Sequence, residues 1–370
     1  MTGVLNPFTL NPFGLGAGDA RPYPLVPFFA AGEAGLTYDH EWVTSFQDYT
    51  ATIPAGTGDP SAFWLDLSRG AGWRDGRFTG LGPELVNDGA FILNGATVSD
   101  GEIQAAAPAF TTFARTDTYP PGYYLVTFSV ERESGGNLTF RFNGKIIGAI
   151  PEISGTFRAV LYADDGASVG LFFRAEGSGW TGTISDISVR RLPGNHATQT
   201  VSAYRPTLGL DSAGRPRAVW DDDDFVTFPQ AMPSGTTTMA FAYDPADVPN
   251  VTLGLSSPTS STQYQMIAIL GDGNTNLATG SAGTPEACWI DGAAIPLSGL
   301  SRDGFRNALK AGSSVIWQWD NPVGSTMTRL GANLNTYGPK SLFLTKGFMI
   351  DRALTPAERD QITDLYRLPS

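Results

Sequence analysis

The sequence predicts an all-β protein built from two antiparallel β-sandwich domains, one inserted in the other, with an extended N-terminal arm and one short C-terminal helix. Three observations predict this. The chain has 44 Gly and 26 Pro in 370 residues without a collagen period, which suits many short strands joined by tight turns. Short runs of aromatic and β-branched residues alternate with polar residues between those turns. A convincing helical pattern occurs only near the C-terminal end of the chain.

Residues 81–192 have the pattern of a complete β-sandwich module. Residues 123–130 are rich in aromatic and β-branched side chains, and Asn143-Gly144 is a hairpin signal. Residues 183–190 alternate between polar and apolar side chains. Short strands at regular spacing, with turn residues between them, are typical of an antiparallel sandwich.

The segments on either side of this module are incomplete when taken separately. Residues 63–70 do not close a fold, and residues 193–199 do not open one. Joined together, they would make one continuous loop that runs into the next strand. We therefore predict that residues 31–80 and 193–370 form one discontinuous domain, into which residues 81–192 are inserted with their ends close in space.

The C-terminal helix has clear start signals. Thr355 is an N-cap, Pro356 occupies the first helical position, and Glu358 completes a capping box. Ile362 and Tyr366 then contribute to an apolar stripe at helical spacing.

Residues 1–30 are apolar and rich in proline. The sequence Leu-Asn-Pro-Phe occurs at residues 5–8 and again at 10–13, and Phe28-Phe29 follows three further prolines. Proline excludes a regular helix or a central strand here. We predict a docking arm that lies on its own domain, on a neighbouring subunit or on a larger assembly. A disordered tail is the alternative, but solvated tails are normally poorer in Phe and Leu.

Bulk charge and cysteine content exclude several classes of protein. The net charge of -12 argues against binding to nucleic acid or to an anionic membrane. The single cysteine, Cys288, excludes an intrachain disulfide framework. No apolar run reaches membrane-spanning length, and the first residues lack a signal-peptide pattern, so we expect a protein that is neither inserted in a membrane nor exported by a Sec-type route.

The sequence contains no recognisable catalytic motif, and we predict that the protein is not an enzyme. Gly-x-Ser-x-Gly elbows, phosphate-binding loops and His-Glu-x-x-His motifs are missing. The two histidines, His40 and His196, flank the proposed join and could lie near each other. We interpret them as structural loop residues, with a catalytic role as the alternative.

An acidic run at residues 221–224 is a candidate Ca²⁺ site, because Ca²⁺ prefers several carboxylate and carbonyl oxygens. Neighbouring side chains on an extended segment point to opposite sides, so only two or three could converge. The alternative is a solvated acidic turn. No other cofactor is predicted, although residues 272–276 form a second oxygen-rich loop. The candidate ligands are Asp221, Asp223 and Asp224.

Aromatic residues in both predicted domains are candidates for sugar recognition, in which a ring stacks on a pyranose and planar polar groups bind the hydroxyls. Trp180 lies between glycines, which favours a rim position, with burial as the alternative. Trp317 and Trp319 share one strand face, and core packing is the alternative there. The further candidates in the module are Tyr123, Tyr124, Arg141, Asn143 and Arg174.

The ends of the discontinuous domain resemble concanavalin A-like jelly rolls of the laminin-G kind. Residues 348–358 resemble the closing strand and short helix of these domains. Gly214-Arg215-Pro216 and Asp223-Asp224-Phe225 resemble the opening turn and the Asp-rich corner before an aromatic residue. The resemblance implies a jelly-roll fold for this domain.

A longer resemblance, to phage and prophage virion proteins, covers nearly the whole chain after the first thirty residues. In some of these proteins a carbohydrate-binding-module-like sandwich interrupts the chain. The motifs that carry the resemblance, in order, are Tyr38-Asp39 with Phe46-Gln47-Asp48, Leu65-Asp66-Leu67-Ser68, Gly82-Pro83-Glu84-Leu85-Val86, Ile187-Ser188-Val189-Arg190, Gly194-Asn195-His196-Ala197-Thr198-Gln199 and Arg205-Pro206-Thr207-Leu208.

The resemblance implies a tail-fibre or head-spike type component of a phage or gene transfer agent. Such a component is made in the bacterial cytoplasm, sits on the virion surface in several copies or as a homo-oligomer, and is anchored to head or tail proteins through residues 1–30. Its expected function is lectin-like receptor binding, in which it attaches to host capsule or lipopolysaccharide glycan. The alternatives are a glycan depolymerase and a purely structural decoration protein.

Overall fold

The computed structural model describes most of the chain, and its residues group into two compact units. One unit combines the described residues up to Thr79 with those from Gly194 onward, and the other comprises Gly80–Pro193. Whether residues 81–192 fold on their own as an inserted domain stays a prediction. The described residues are 23–30, 32–42, 44–86, 94, 96–99, 102–115, 119–143, 145–150, 154–164, 170–211, 214–221, 223–231, 233–242, 251–256, 264–269, 278–279, 284–298, 300–310, 312–321, 328–331 and 345–367.

Short strands dominate both units, which confirms the predicted all-β class. The strands before residue 80 are β1 (Gly35–Asp39), β2 (Ser45–Phe46), β3 (Phe63–Trp64), β4 (Gly72–Arg74) and β5 (Arg77–Thr79). Those of the second unit are β6 (Ala96–Ser99), β7 (Glu102–Ala107), β8 (Thr112–Arg115), β9 (Gly122–Gly135), β10 (Leu138–Phe142), β11 (Lys145–Ile150), β12 (Gly155–Ala163), β13 (Leu171–Ala175) and β14 (Trp180–Leu192).

The first unit continues after residue 193 with further strands and with two α-helices. The strands are β15 (Ala197–Thr198), β16 (Thr207–Leu210), β17 (Pro216–Val219), β18 (Phe225–Thr227), β19 (Gly235–Ala242), β20 (Val251–Ser256), β21 (Tyr264–Ile269), β22 (Ala278–Thr279), β23 (Thr284–Ile290), β24 (Ala293–Ile295), β25 (Ser314–Asn321), β26 (Arg329–Gly331) and β27 (Lys346–Ile350). The helices are α1 (Arg302–Ala308) and α2 (Pro356–Tyr366), and single 3-10 turns occur at Val26–Phe29 and Ser202–Tyr204.

Two antiparallel sheets enclose the core of the first unit. One has the strand order β1-β27-β19-β25-β23-β24, and the other has the order β2-β3-β15-β18-β26-β20-β21-β22. Phe241 and Trp317 from the first sheet share one buried cluster with Trp64, Val226 and Leu330 from the second. This is the face-to-face packing of a β-sandwich.

Strand β3 joins the two parts of the first unit. Phe63 pairs with Thr198 and Trp64 with Ala197, while the other edge of β3 pairs with β2. Segments that are more than a hundred residues apart in the chain therefore lie side by side in one sheet.

The second unit is a sandwich of a five-stranded and a four-stranded sheet. Their orders are β12-β9-β14-β7-β6 and β11-β10-β13-β8. Residues of β10 and β13 alternate between buried and half-buried, because successive side chains point to opposite faces of a sheet. The buried set packs on Phe128 and Val130 of the facing sheet.

Helix α2 has the predicted capping box: the Thr355 side chain accepts a hydrogen bond from the Glu358 backbone, and the Glu358 side chain binds the Thr355 backbone in return. Helix α1, which is capped by Ser301, was not predicted. Its seven residues are too few to show an apolar period. Neither helix in the described part of the chain combines the length and apolar character needed to cross a bilayer.

Residues 23–30 of the predicted arm lie on their own domain, which is one of the three positions predicted for this segment, and they are not free to dock on a particle. Tyr23, Phe28 and Phe29 are buried in the first unit, and the rings of both phenylalanines contact Phe348 at 5.8 and 5.6 Å. Arg352 binds the Phe28 carbonyl oxygen at 3.2 Å. These apolar side chains complete the core of their own unit, while residues 1–22 lie outside the described residues.

Candidate functional site

Trp180 lies inside the second unit, so the predicted rim position is wrong. Its side chain is 2 % exposed, and its indole stacks on Phe113 with ring centroids 5.7 Å apart and planes within 6°. Gly182 leaves space for the indole because it has no side chain. A Cβ atom at Gly182 would lie 2.8 Å from the indole ring, closer than packed atoms can come.

The polar aromatic candidates and Asn143 are also buried. Tyr124 donates a hydrogen bond to the Pro120 carbonyl oxygen at 2.6 Å, and Tyr123 packs on Tyr162. Asn143 is 3 % exposed, and its Nδ2 atom donates to the Asp164 carbonyl oxygen at 2.8 Å. The structure does not bring these side chains together with Trp180 at a surface.

Trp317 and Trp319 are core residues of the first unit, as the alternative interpretation had it. They are 0 % and 1 % exposed, and their ring centroids lie 5.6 Å apart. Trp317 also packs edge-on against Phe305 of α1. Neither indole offers a face to a ligand in this structure.

The described residues of the acidic corner form a turn that is closed by a hydrogen bond of its own. Asp224 is buried and accepts a hydrogen bond from the Asp221 backbone at 2.6 Å. The pKa of Asp224 is raised to about 6, mainly by burial and also by the carboxylates of Asp221 and Asp223, while the hydrogen bond from the Asp221 backbone opposes the rise. Asp221 and Asp223 are exposed. Within the described ranges, no group of three or more His, Cys, Asp or Glu side chains could hold a metal ion. The second acidic candidate, residues 272–276, lies outside them.

The two histidines pack on neighbouring residues of β3. The His40 ring contacts Trp64, and its Nδ1 atom lies 2.9 Å from Ser45 Oγ. Burial lowers the pKa of His40 to about 3, so the ring is neutral in the folded protein at physiological pH. His196 packs on Phe63, and its Nδ1 atom accepts a hydrogen bond from the Asp66 backbone. Both rings are enclosed, and the His40–Ser45 pair is sealed from solvent in this structure.

The outer face of the four-stranded sheet in the second unit carries two of the predicted residues. Strand alternation places Thr139 and Arg141 of β10 and Phe172 and Arg174 of β13 on this face, all half-buried. Thr139 pairs with Arg174 across the strands, and Arg141 pairs with Phe172. Directly opposed residues have Cβ atoms about 5 Å apart, so the four side chains form one patch.

Each arginine of this patch lies over a phenylalanine ring. The Arg141 guanidinium carbon is 5.4 Å from the centre of Phe172, and that of Arg174 is 5.6 Å from the centre of Phe110. Phe110 is 63 % exposed and has a positive φ of 59°, which turns it outward just before β8. We call this surface the arginine–aromatic face, and its residues are Phe110, Thr139, Arg141, Phe172, Arg174 and Glu176.

Hydrogen bonds and charge distinguish the two arginines. Glu176 lies 3.6 Å from Arg174 Nε and accepts a hydrogen bond from Thr139 Oγ1 at 3.1 Å. Arg141 Nε is buried and has no hydrogen-bond partner among the described residues. A guanidinium that lies on a ring keeps its N–H groups directed outward in its own plane. The face can therefore bind hydroxyl or anionic oxygens while the exposed ring of Phe110 offers an apolar surface.

Sequence reasoning found Arg141 and Arg174 but missed the rings beneath them. Phe172 could have been found. It stands between Leu171 and Phe173 on β13, so its side chain points to the opposite face of the sheet from theirs. Phe110 had no such signal, since a left-handed backbone is uncommon for phenylalanine.

Comparison with known proteins found no matching family model, no matching curated protein and no matching solved structure. The arginine–aromatic face is therefore assigned from its own geometry.

Proposed function

We propose that the second unit binds carbohydrate through the arginine–aromatic face. We further propose that the chain is a fibre or spike component on the surface of a phage or gene transfer agent, which attaches to host capsule or lipopolysaccharide glycan. The observation that supports carbohydrate binding is the pair of ring-backed arginines on one half-exposed sheet face. The virion role rests on the ordered sequence motifs.

The face combines the two elements that sugar recognition uses. The exposed ring of Phe110 offers an apolar surface to the C–H groups of a pyranose. Arg141 and Arg174 offer planar sets of N–H donors, which match the hydroxyl and ring oxygens of a saccharide. Both arginines are held on rings, so less side-chain entropy is lost when a ligand binds.

The outer face of the facing sheet supports binding less well. Its centre carries the short hydroxyl residues Thr127, Ser129 and Thr183. Tyr123 pairs there with Tyr162 but is buried. Arg158 of β12 pairs with Thr127, which makes it a matched control arginine on the opposite side of the same unit.

Weak binding at each site is compatible with attachment. A particle that carries many copies converts weak single contacts into strong avidity, because later contacts are made at high effective concentration. Docking to the particle through the N-terminal residues stays a prediction, now limited to residues 1–22.

A glycan array probed with the full chain tests this proposal. We expect retention of a defined set of bacterial surface glycans, with signal lost in Phe110→Ala and in the Arg141→Gln, Arg174→Gln double variant. The control Arg158→Gln should bind as the wild type does. Thermal unfolding of each variant checks that the fold is kept.

The other outcomes are equally informative. An array on which nothing is retained would contradict carbohydrate binding and favour a structural decoration protein. Shortening of a polysaccharide during incubation would favour the depolymerase alternative.

A further inference from the structure

We infer that the ligand of the arginine–aromatic face is an anionic saccharide, whose carboxylate or phosphate is bound by the guanidinium of Arg141. The inference rests on the proposed function and names the class of glycan. The two arginines of the face have unequal partners.

Charge on the face is only partly balanced. Arg174 has a carboxylate beside it, since Glu176 lies 3.6 Å away. Arg141 has no ion-pair partner within the described ranges, although the chain as a whole carries a net charge of -12. An arginine that lacks such a partner favours an anion at this place.

The donors of Arg141 favour an anionic partner over a neutral one. Its Nε atom is buried, so a ligand is bound through the terminal N–H groups of this half-buried side chain. Hydrogen bonds to an ionised acceptor are about twice as strong as those between neutral groups. Carboxylate and phosphate oxygens also match the fork of donors of a guanidinium, which single hydroxyl groups do not.

The rings favour the same conclusion. Phe172 is half-buried and has Arg141 over its ring, so this ring is poorly placed to stack on a neutral sugar. Phe110 is the more exposed ring, although Arg174 lies over it. A saccharide that stacks on Phe110 and places its acidic group at Arg141 uses both features at once.

Matched pairs of acidic and neutral polymers test the inference on the full chain. The probes are polygalacturonate with its carboxyl-reduced form, dextran phosphate with dextran, and the array glycans grouped by charge. We expect the acidic member of at least one pair, and the acidic array group, to bind better by about tenfold or more. The pair that responds distinguishes carboxylate from phosphate.

Variants of Arg141 distinguish direct ligand binding from a structural role of its side chain. Arg141→Gln should lower the affinity for the acidic ligand by about tenfold. Arg141→Lys should lower it less, because lysine keeps the charge but lacks the two-point geometry of a guanidinium. Arg158→Gln should leave binding unchanged.

Three results would each contradict a different part of these proposals. Equal binding of acidic and neutral members, or binding of neutral array glycans alone, would overturn this inference and leave carbohydrate binding standing. Full recovery of acidic binding by Arg141→Lys would overturn the two-point contact. Absence of all glycan binding would overturn both the inference and the proposed function.

Discussion

At the scale of single residues, Asp66 is a buried group with an unusually full set of hydrogen bonds. Its carboxylate is 0 % exposed and accepts hydrogen bonds from the backbones of Thr37, Ser68 and Asn195 and from the Ser68 hydroxyl. It thereby holds three segments of the first unit together. Its local Leu-Asp-Leu-Ser motif is visible in the sequence, but these partners could not be predicted from it, because Asn195 is 129 residues away in the chain.

Asp66→Asn should destabilise the protein by about 3 kcal/mol, because an amide turns N–H donors toward groups that are themselves donors. Urea unfolding of the full chain measures this. The exposed Asp360→Asn in α2 is the control, with an expected change within about 0.5 kcal/mol. A loss below about 1 kcal/mol for Asp66→Asn would contradict the role assigned to this carboxylate.

Asp39 makes stability depend on pH. Burial raises the pKa of Asp39 from 3.8 to about 6, although Lys346 Nζ lies 3.8 Å away and opposes the rise. A carboxyl group whose pKa is higher in the folded state favours folding in its protonated form. Its contribution is therefore fully present below about pH 4 and is lost as the pH rises through about 6.

Asp39→Asn should remove this dependence, since the amide cannot ionise. Between about pH 4 and 7 the unfolding free energy of the wild type should lose about 3 kcal/mol more than that of the variant. Asp224, whose pKa is also raised to about 6, acts in the same window and is left intact in both proteins. Identical pH profiles for the two proteins would show that ionised Asp39 is not destabilising.

At the scale of elements, strand alternation explains which candidates lie outside. Arg141 and Arg174 are on an outer face because β10 and β13 keep an unbroken period of two. The glycine neighbours of Trp180 suggested exposure, and that inference was wrong. In the structure the glycine at position 182 leaves space for the indole inside the sandwich.

Gly182→Ala should therefore destabilise the protein by about 2 kcal/mol through overpacking. The added methyl group would meet the Trp180 ring and the Glu131 carbonyl oxygen. Gly155→Ala on β12 is the matched control, since a Cβ there meets no atom within 4 Å. Thermal unfolding compares the two, and equal midpoints would contradict the packing role of Gly182.

At the scale of the whole molecule, the fold class followed from composition and strand pattern, whereas the position of the site did not. Turn residues and alternating runs recur along the whole chain, so they predict all-β structure. The candidate site depends on which rings lie beneath which arginines. That arrangement is set by the register of β10 with β13 and by the backbone of Phe110, which local patterns do not determine.

A structure of the chain with an array-positive glycan would show whether saccharide binds on the arginine–aromatic face. We expect a sugar ring against Phe110 and an acidic group within hydrogen-bond distance of the Arg141 guanidinium. A glycan bound elsewhere on the chain, with this face empty, would contradict it.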